Sequence, residues 1–140
     1  MATHLHYFKY NVVKKEIILR SIKIIDIIHL TILNFLAGYL ISHYINTLFP
    51  EFDPNYNHNK FLLLLEVLLQ ISIIGVLIYL LRNVISLIPF PLNNIYGFDH
   101  SKMNRLPYGQ IALSFGIFSA QFILKNKLEY LLKSKNLIPI

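Results

Sequence analysis

The stretch "FLLLLEVLLQISIIGVLIYLL", residues 61–81, decides the fold. It holds one charged side chain, Glu66, and no proline. At about 1.5 Å per residue it covers about 30 Å, the thickness of a bilayer's hydrocarbon layer. A transmembrane helix is predicted here. Glu66 and Gln70 are four residues apart and share a face, and Gly75 sits near the middle. An ionised carboxylate at that depth costs about 2.5–3.5 kcal/mol, so Glu66 is expected to be protonated, paired or close to an interface. One carboxylate makes no pore, so a hydrogen bond between helices is favoured over an ion or proton step.

On the amino-terminal side, "FPEFDPNYNHNK" (residues 49–60) breaks the pattern with two prolines, three asparagines, Glu51 and Asp53. Turn chemistry of that density ends one span and begins the next. Before it, "IIDIIHLTILNFLAGYLISHYINTL" (residues 24–48) is long enough to cross, but Asp26, His29, Asn34, His43 and Asn46 interrupt it. Polar groups at membrane depth face protein or water. Asp26 and His29 share a face near the entry end, and Gly38, four residues after Asn34, permits close approach by another helix. Residues 1–23 carry Lys9, Lys14, Lys15, Arg20 and Lys23 against Glu16, interleaved with Val12, Val13 and Ile17. The expectation is an amphipathic helix on the membrane surface, its cations on lipid headgroups, with the chain turning into the bilayer after it.

On the carboxyl-terminal side, residues 82–107 form a connector in which Pro89 and Pro91 forbid a continuous helix. Ile88, Phe90, Leu92, Ile95, Tyr96 and Phe98 would not be left in water, so the segment is expected along the bilayer surface or docked on a partner. Residues 108–133 read as one helix, with Gln110, Ser114, Gln121, Lys125 and Glu129 on a common stripe. Two placements stay open for it. The positive-inside tendency puts the three basic regions on one side, which two spans satisfy; the apolarity of residues 109–124 allows a third crossing.

The whole chain agrees with these segments. Of its 140 residues 55% are hydrophobic and 14% charged, with a mean hydropathy of +0.53, far from the soluble norm. The reading is an all-α membrane protein forming one membrane domain, with two to three transmembrane helices, an amino-terminal amphipathic helix and a proline- and aromatic-rich interfacial connector. There is no cysteine, which excludes disulfides, zinc-thiolate sites and thiol nucleophiles, and no tryptophan, which leaves nine tyrosines to serve as interfacial aromatics. No cleavable leader stands out in the first residues. The net charge of +6 is dispersed along membrane-flanking segments, which suits anionic headgroups, Lys125 and Lys127 included, better than nucleic acid.

Catalytic chemistry finds no support. Ser72, Ser86, Ser114 and Ser119 lack a nucleophile elbow or triad signature, and no glycine-rich loop cradles a phosphate. Asp26 with His29, Asp53 with His58, and Asp99 with His100 each offer two metal ligands, but none has the spacing of a metal site. The protein is therefore expected to be non-enzymatic, with no cofactor, metal or small-molecule substrate.

Pro89, Phe90, Pro91 and Leu92 lead to Gly97, Phe98, Asp99 and His100, then to Lys102 or Arg105, and an apolar helix ends in F-x-x-K-N-K-L at residues 122–128. This pattern, over the last third to half of the chain, resembles small membrane proteins of nucleocytoplasmic large DNA viruses, including giant viruses of algae and protists. The chain has Pro107-Tyr108-Gly109 where a glycine-rich turn would be expected. The resemblance implies a virion component: a minor capsid or inner-membrane protein fastening an icosahedral shell to the lipid beneath, with lipid and other capsid proteins as partners. Phe90, Tyr96 and Phe98 would then anchor a contact surface, Asp99 and His100 would orient it, and Gly97 would permit a bend. Two other readings share the same physical features. They are an accessory subunit of a large organellar membrane complex, and a small channel or transporter component using Glu66.

Overall fold

The computed structural model describes residues 2–55 and 58–133, with side chains described from residue 7 onward. Those residues contain helices and connecting turns: α1 (Ala2–Leu48), α2 (Lys60–Ile85), a 3-10 turn (Ile95–Gly97), α3 (His100–Asn104), α4 (Tyr108–Ser119) and α5 (Phe122–Lys133). Two helices, α1 and α2, are long and apolar enough to cross a membrane.

α2 forms because its apolar run is capped at both ends. Asn59 accepts a hydrogen bond from the Phe61 N–H at the start, and Ser86 N–H returns to the Arg82 carbonyl at the end, just before Pro89. Its inward residues Leu63, Val67, Gln70 and Ile74 alternate steps of four and three. Leu63, Val67 and Ile74 meet Ile45, Leu113, Ile117, Leu124 and Leu131 in the main core. The outward face is equally apolar: Leu62, Leu65, Leu69, Val76 and Leu80 are exposed, as are Ile28, Ile32, Leu36 and Leu40 on α1. The core helix of a soluble protein would have both faces covered; here only 22% of each candidate span is buried.

α1 departs from the expected division at residue 23. It runs unbroken for 47 residues, about 70 Å, because no proline or glycine before Gly38 offers a place to turn. Its first part therefore projects beyond the bundle in line with the span. Tyr7, Phe8, Tyr10, Val13 and Ile17 are exposed, as are Lys9, Lys14, Lys15, Arg20 and Lys23.

The last third also differs from the single helix expected over residues 108–133. It is broken at Ala120 (φ −103°, ψ 5°). The break is held open from α1: Asn46 Nδ2 donates to the Ala120 carbonyl at 2.8 Å, and Ser42 Oγ to the Ile117 carbonyl at 2.9 Å. Side chains inserted into the ladder satisfy the carbonyls that a kink frees. α4 and α5 together run the length of the bundle, α4 parallel to α1 and α5 against α2. The third apolar segment thus packs as a bundle member and not as a helix laid across its end.

The α1–α4 seam is close-packed at small residues. Asn34, Gly38, Ser42 and Asn46 recur every four residues on α1 and face Gly109, Leu113, Ile117 and Ala120. A Cβ at Gly38 would lie 2.5 Å from the Leu113 carbonyl oxygen, and one at Gly116 would lie 2.5 Å from that of Phe35. Only glycine lets the two backbones come this near. A second core forms where the connector folds back on α1: Phe90, Phe98 and Met103 pack on Ile22 and Leu30.

Candidate functional site

The connector and the bundle interior share one construction: polar side chains that point inward meet others distant in sequence. At the connector, Asp26 is fully buried. His100 Nδ1 lies 2.8 Å from both of its carboxylate oxygens, and Asn104 Nδ2 is 3.2 Å from His100 Nε2. The geometry suits a ring with its proton on Nδ1, donating to Asp26 and accepting from Asn104. α3 places His100 because Asp99 caps it, accepting from the Ser101 N–H and Oγ, and because Asn93 Oδ1 accepts from the His100 N–H. The Ser101 hydroxyl holds the Asp99 carboxyl below its ordinary range, with smaller contributions from the Ser101 N–H, Lys102 and Arg105. The Phe90 ring stacks on His100 at 5.2 Å and meets His29 at 5.4 Å, while His29 Nδ1 is buried without a hydrogen-bond partner among the described residues.

In the middle of the bundle, Gln70 Nε2 donates to Gln121 Oε1 at 2.9 Å, and Gln121 Nε2 donates to Ser42 Oγ at 2.8 Å. Ser42 in turn donates its hydroxyl hydrogen to the Ile117 carbonyl. This relay ties α2, α1 and α4 at one level through the break between α4 and α5. One turn nearer the start of α2, Lys127 Nζ donates to Glu66 Oε1 at 2.7 Å and lies 5.3 Å from the Phe49 ring centre. Lys127 is 1% exposed.

Several expectations need correction against this geometry. Phe90, Phe98 and His100 are not free to anchor a partner, being buried against α1 as the chain's own second core. Lys127 does not reach headgroups; it turns inward because Glu66 supplies its counter-charge. Lys125 is exposed, and so are Tyr96 and Gly97. Asp26 and His29 do share a face, Asn34 is buried with its amide donating to the Leu30 carbonyl at 2.7 Å, and Glu66 and Gln70 both point into the bundle. Sequence reasoning missed Asn104 as the outer partner of His100 and Ser42 as the hub of the relay. The step-of-four series Asn34, Gly38, Ser42, Asn46 was the available signal for Ser42; nothing local marks Asn104.

What the interior can do chemically follows from its packing. Ile45, Ile74, Leu113 and Ile117 are at most 1% exposed and fill the space between the polar levels. Among the described residues no three His, Cys, Asp or Glu side chains gather to hold a metal ion. Comparison with known protein families, curated proteins and solved structures finds no match to this chain.

Proposed function

We propose that this chain is a non-enzymatic integral membrane protein with a structural role. The observation that carries the reading is the inversion of the bundle: apolar side chains cover the outward faces of α1 and α2, while Asp26, Gln70, Gln121 and Lys127 are buried and paired inside. Lipid is the solvent in which that distribution is favourable. Paired polar groups separated by close-packed aliphatic residues serve as glue between helices, which favours a scaffold over a channel built on Glu66. The third segment, formed by α4 and α5, is long enough in sum to accompany the two spans.

In its finer form the reading is a fastener, a minor capsid or inner-membrane component joining a protein shell to the lipid beneath it. With Phe90, Phe98 and His100 engaged internally, the surface offered to a shell is the exposed tip at Ile95, Tyr96 and Gly97. There Asn94, Tyr96 and Gly97 hold left-handed backbone (φ 66°, 52° and 79°), and for a bulky tyrosine this conformation costs about 1–3 kcal/mol. The test is alkaline carbonate extraction and flotation of source membranes, followed by mass spectrometry of purified particles. Retention in the pellet, with a fixed copy number in particles, supports the fastener. Release by carbonate refutes membrane insertion. Retention together with absence from particles refutes only the virion role.

A further inference from the structure

Arg82 is the one cation in the last turn of α2. It is half-buried and flanked by exposed Tyr79, Leu80 and Val84 on the helix and Leu87 just past its end. Among the described residues no hydrogen bond or ion pair engages its guanidinium. The other inward-facing ions of the bundle are paired: Lys127 with Glu66, Asp26 with His100. A cation set within an apolar belt calls for an anion. The cavity beside Arg82 is about 10 Å³, with Leu30 and Ile85 as apolar walls and the carboxamides of Asn34, Asn104 and Gln110 around it. That volume admits about one oxygen-sized atom.

We infer that this cavity is a binding site for a phosphate oxyanion, one non-bridging oxygen entering among the carboxamides while the Arg82 guanidinium takes the others. The inference rests on the membrane reading, because the apolar belt is what makes a bare guanidinium costly there. Three features select the chemistry. The guanidinium fork matches phosphate in two-point hydrogen bonding. Gln110 makes no side-chain hydrogen bond to the described residues, and Asn104 and Asn34 each spend one amide hydrogen internally and keep a second. No carboxylate lines the cavity to repel an anion. A phospholipid headgroup and a free phosphate share this chemistry, and the position near the end of α2 favours the lipid.

The test uses the full chain purified in a non-ionic detergent and examined by native mass spectrometry with added phosphatidylglycerol. Diacylglycerol with the same acyl chains is the phosphate-free control. Phosphatidylglycerol should be retained where diacylglycerol is lost. Arg82→Gln should weaken retention by about tenfold or more, with Arg82→Lys intermediate because it keeps the charge and loses the fork. Gln110→Ala, which leaves every described side-chain hydrogen bond of the bundle in place, should also weaken retention and stands in should Arg82→Gln misfold. Displacement of the lipid by millimolar inorganic phosphate supports the site and assigns it to a soluble phosphate. Equal retention of both lipids, or unchanged retention in both the Arg82→Gln and Gln110→Ala proteins, overturns the site. Carbonate extraction of the same membranes separates the two levels: a chain that resists extraction yet ignores Arg82 refutes the site alone, whereas an extracted chain refutes the membrane reading.

Discussion

Alanine at Gly116 would place its Cβ 2.5 Å from the Phe35 carbonyl oxygen, and alanine at Gly38 the same distance from the Leu113 carbonyl oxygen. Both obstacles are backbone atoms on the facing helix, so neither can rotate away. Ordinary contact begins at 3.4 Å, and α1 and α4 must separate by about 0.9 Å locally to restore it. Overpacking of this kind costs about 1–3 kcal/mol. Separation also stretches the Ser42–Ile117 and Asn46–Ala120 hydrogen bonds, each contributing about 1 kcal/mol. Against that, Gly→Ala in a helix gains up to about 1 kcal/mol, leaving a net loss of about 2–4 kcal/mol for either substitution if both hydrogen bonds are forfeited. Gly75 is the control: it lies in a helix interior, and a Cβ added to it would meet nothing within 4 Å, so Gly75→Ala should keep the propensity gain whole. Thermal unfolding in detergent micelles, followed by circular dichroism, should show Tm falling for Gly38→Ala and Gly116→Ala and rising for Gly75→Ala. A rise for all three would refute the close-packed seam.

Three further expectations concern polar pairs. Asp26→Ala removes the carboxylate that holds His100, leaves the buried Nδ1–H without its acceptor and should cost about 1–3 kcal/mol; limited proteolysis should cut the connector between Ile85 and His100 while the main bundle survives, and uniform protection would argue against the second core. Glu66→Gln should destabilise by stranding the Lys127 ammonium, whereas Glu66→Leu combined with Lys127→Met should recover most of the loss, as buried pairs replaced together do; a double-mutant cycle with no coupling would sink the pairing. The Asp99 cap should carry a pH dependence. Its carboxyl is held low in the folded chain, so its stabilisation is present above the ordinary value of 3.8 and is lost as pH falls through the lowered one; an Asp99→Ala protein should lack that acid-side component of unfolding.

Much of the architecture is legible in the sequence because hydropathy and proline act locally. The helix over residues 61–81, the break around Pro50 and Pro54, and the inward face of Glu66 and Gln70 follow from neighbours a turn or two away. The division of α1 at residue 23 is not, because a cluster of cations suggests a change of environment while the backbone responds only to breaking residues, and there are none before Gly38. The kink at Ala120 has no proline to announce it. It depends on Ser42 and Asn46, more than 70 residues away in sequence. The same distance explains Phe90, Phe98 and His100: an aromatic connector announces that something must cover it, but whether a partner or the chain's own α1 does so depends on Asp26, 74 residues earlier. Lys127 is misplaced by sequence reasoning for a like reason, since a lysine near the end of an apolar run snorkels unless a carboxylate is brought to it.

The parallel pairing of α1 with α4 carries a consequence for how the chain is made. α1 leaves the ribosome before α3 and α4, with Asp26, Ser42 and Asn46 already facing the side where those helices belong. Their partners lie about 75 residues downstream, a delay of about 4–15 s at usual rates of synthesis. For that interval the first helix holds three polar groups with no protein to receive them, so a chain entering a bilayer in the order of its synthesis would have to keep this face against water or an insertion factor until the last third arrives.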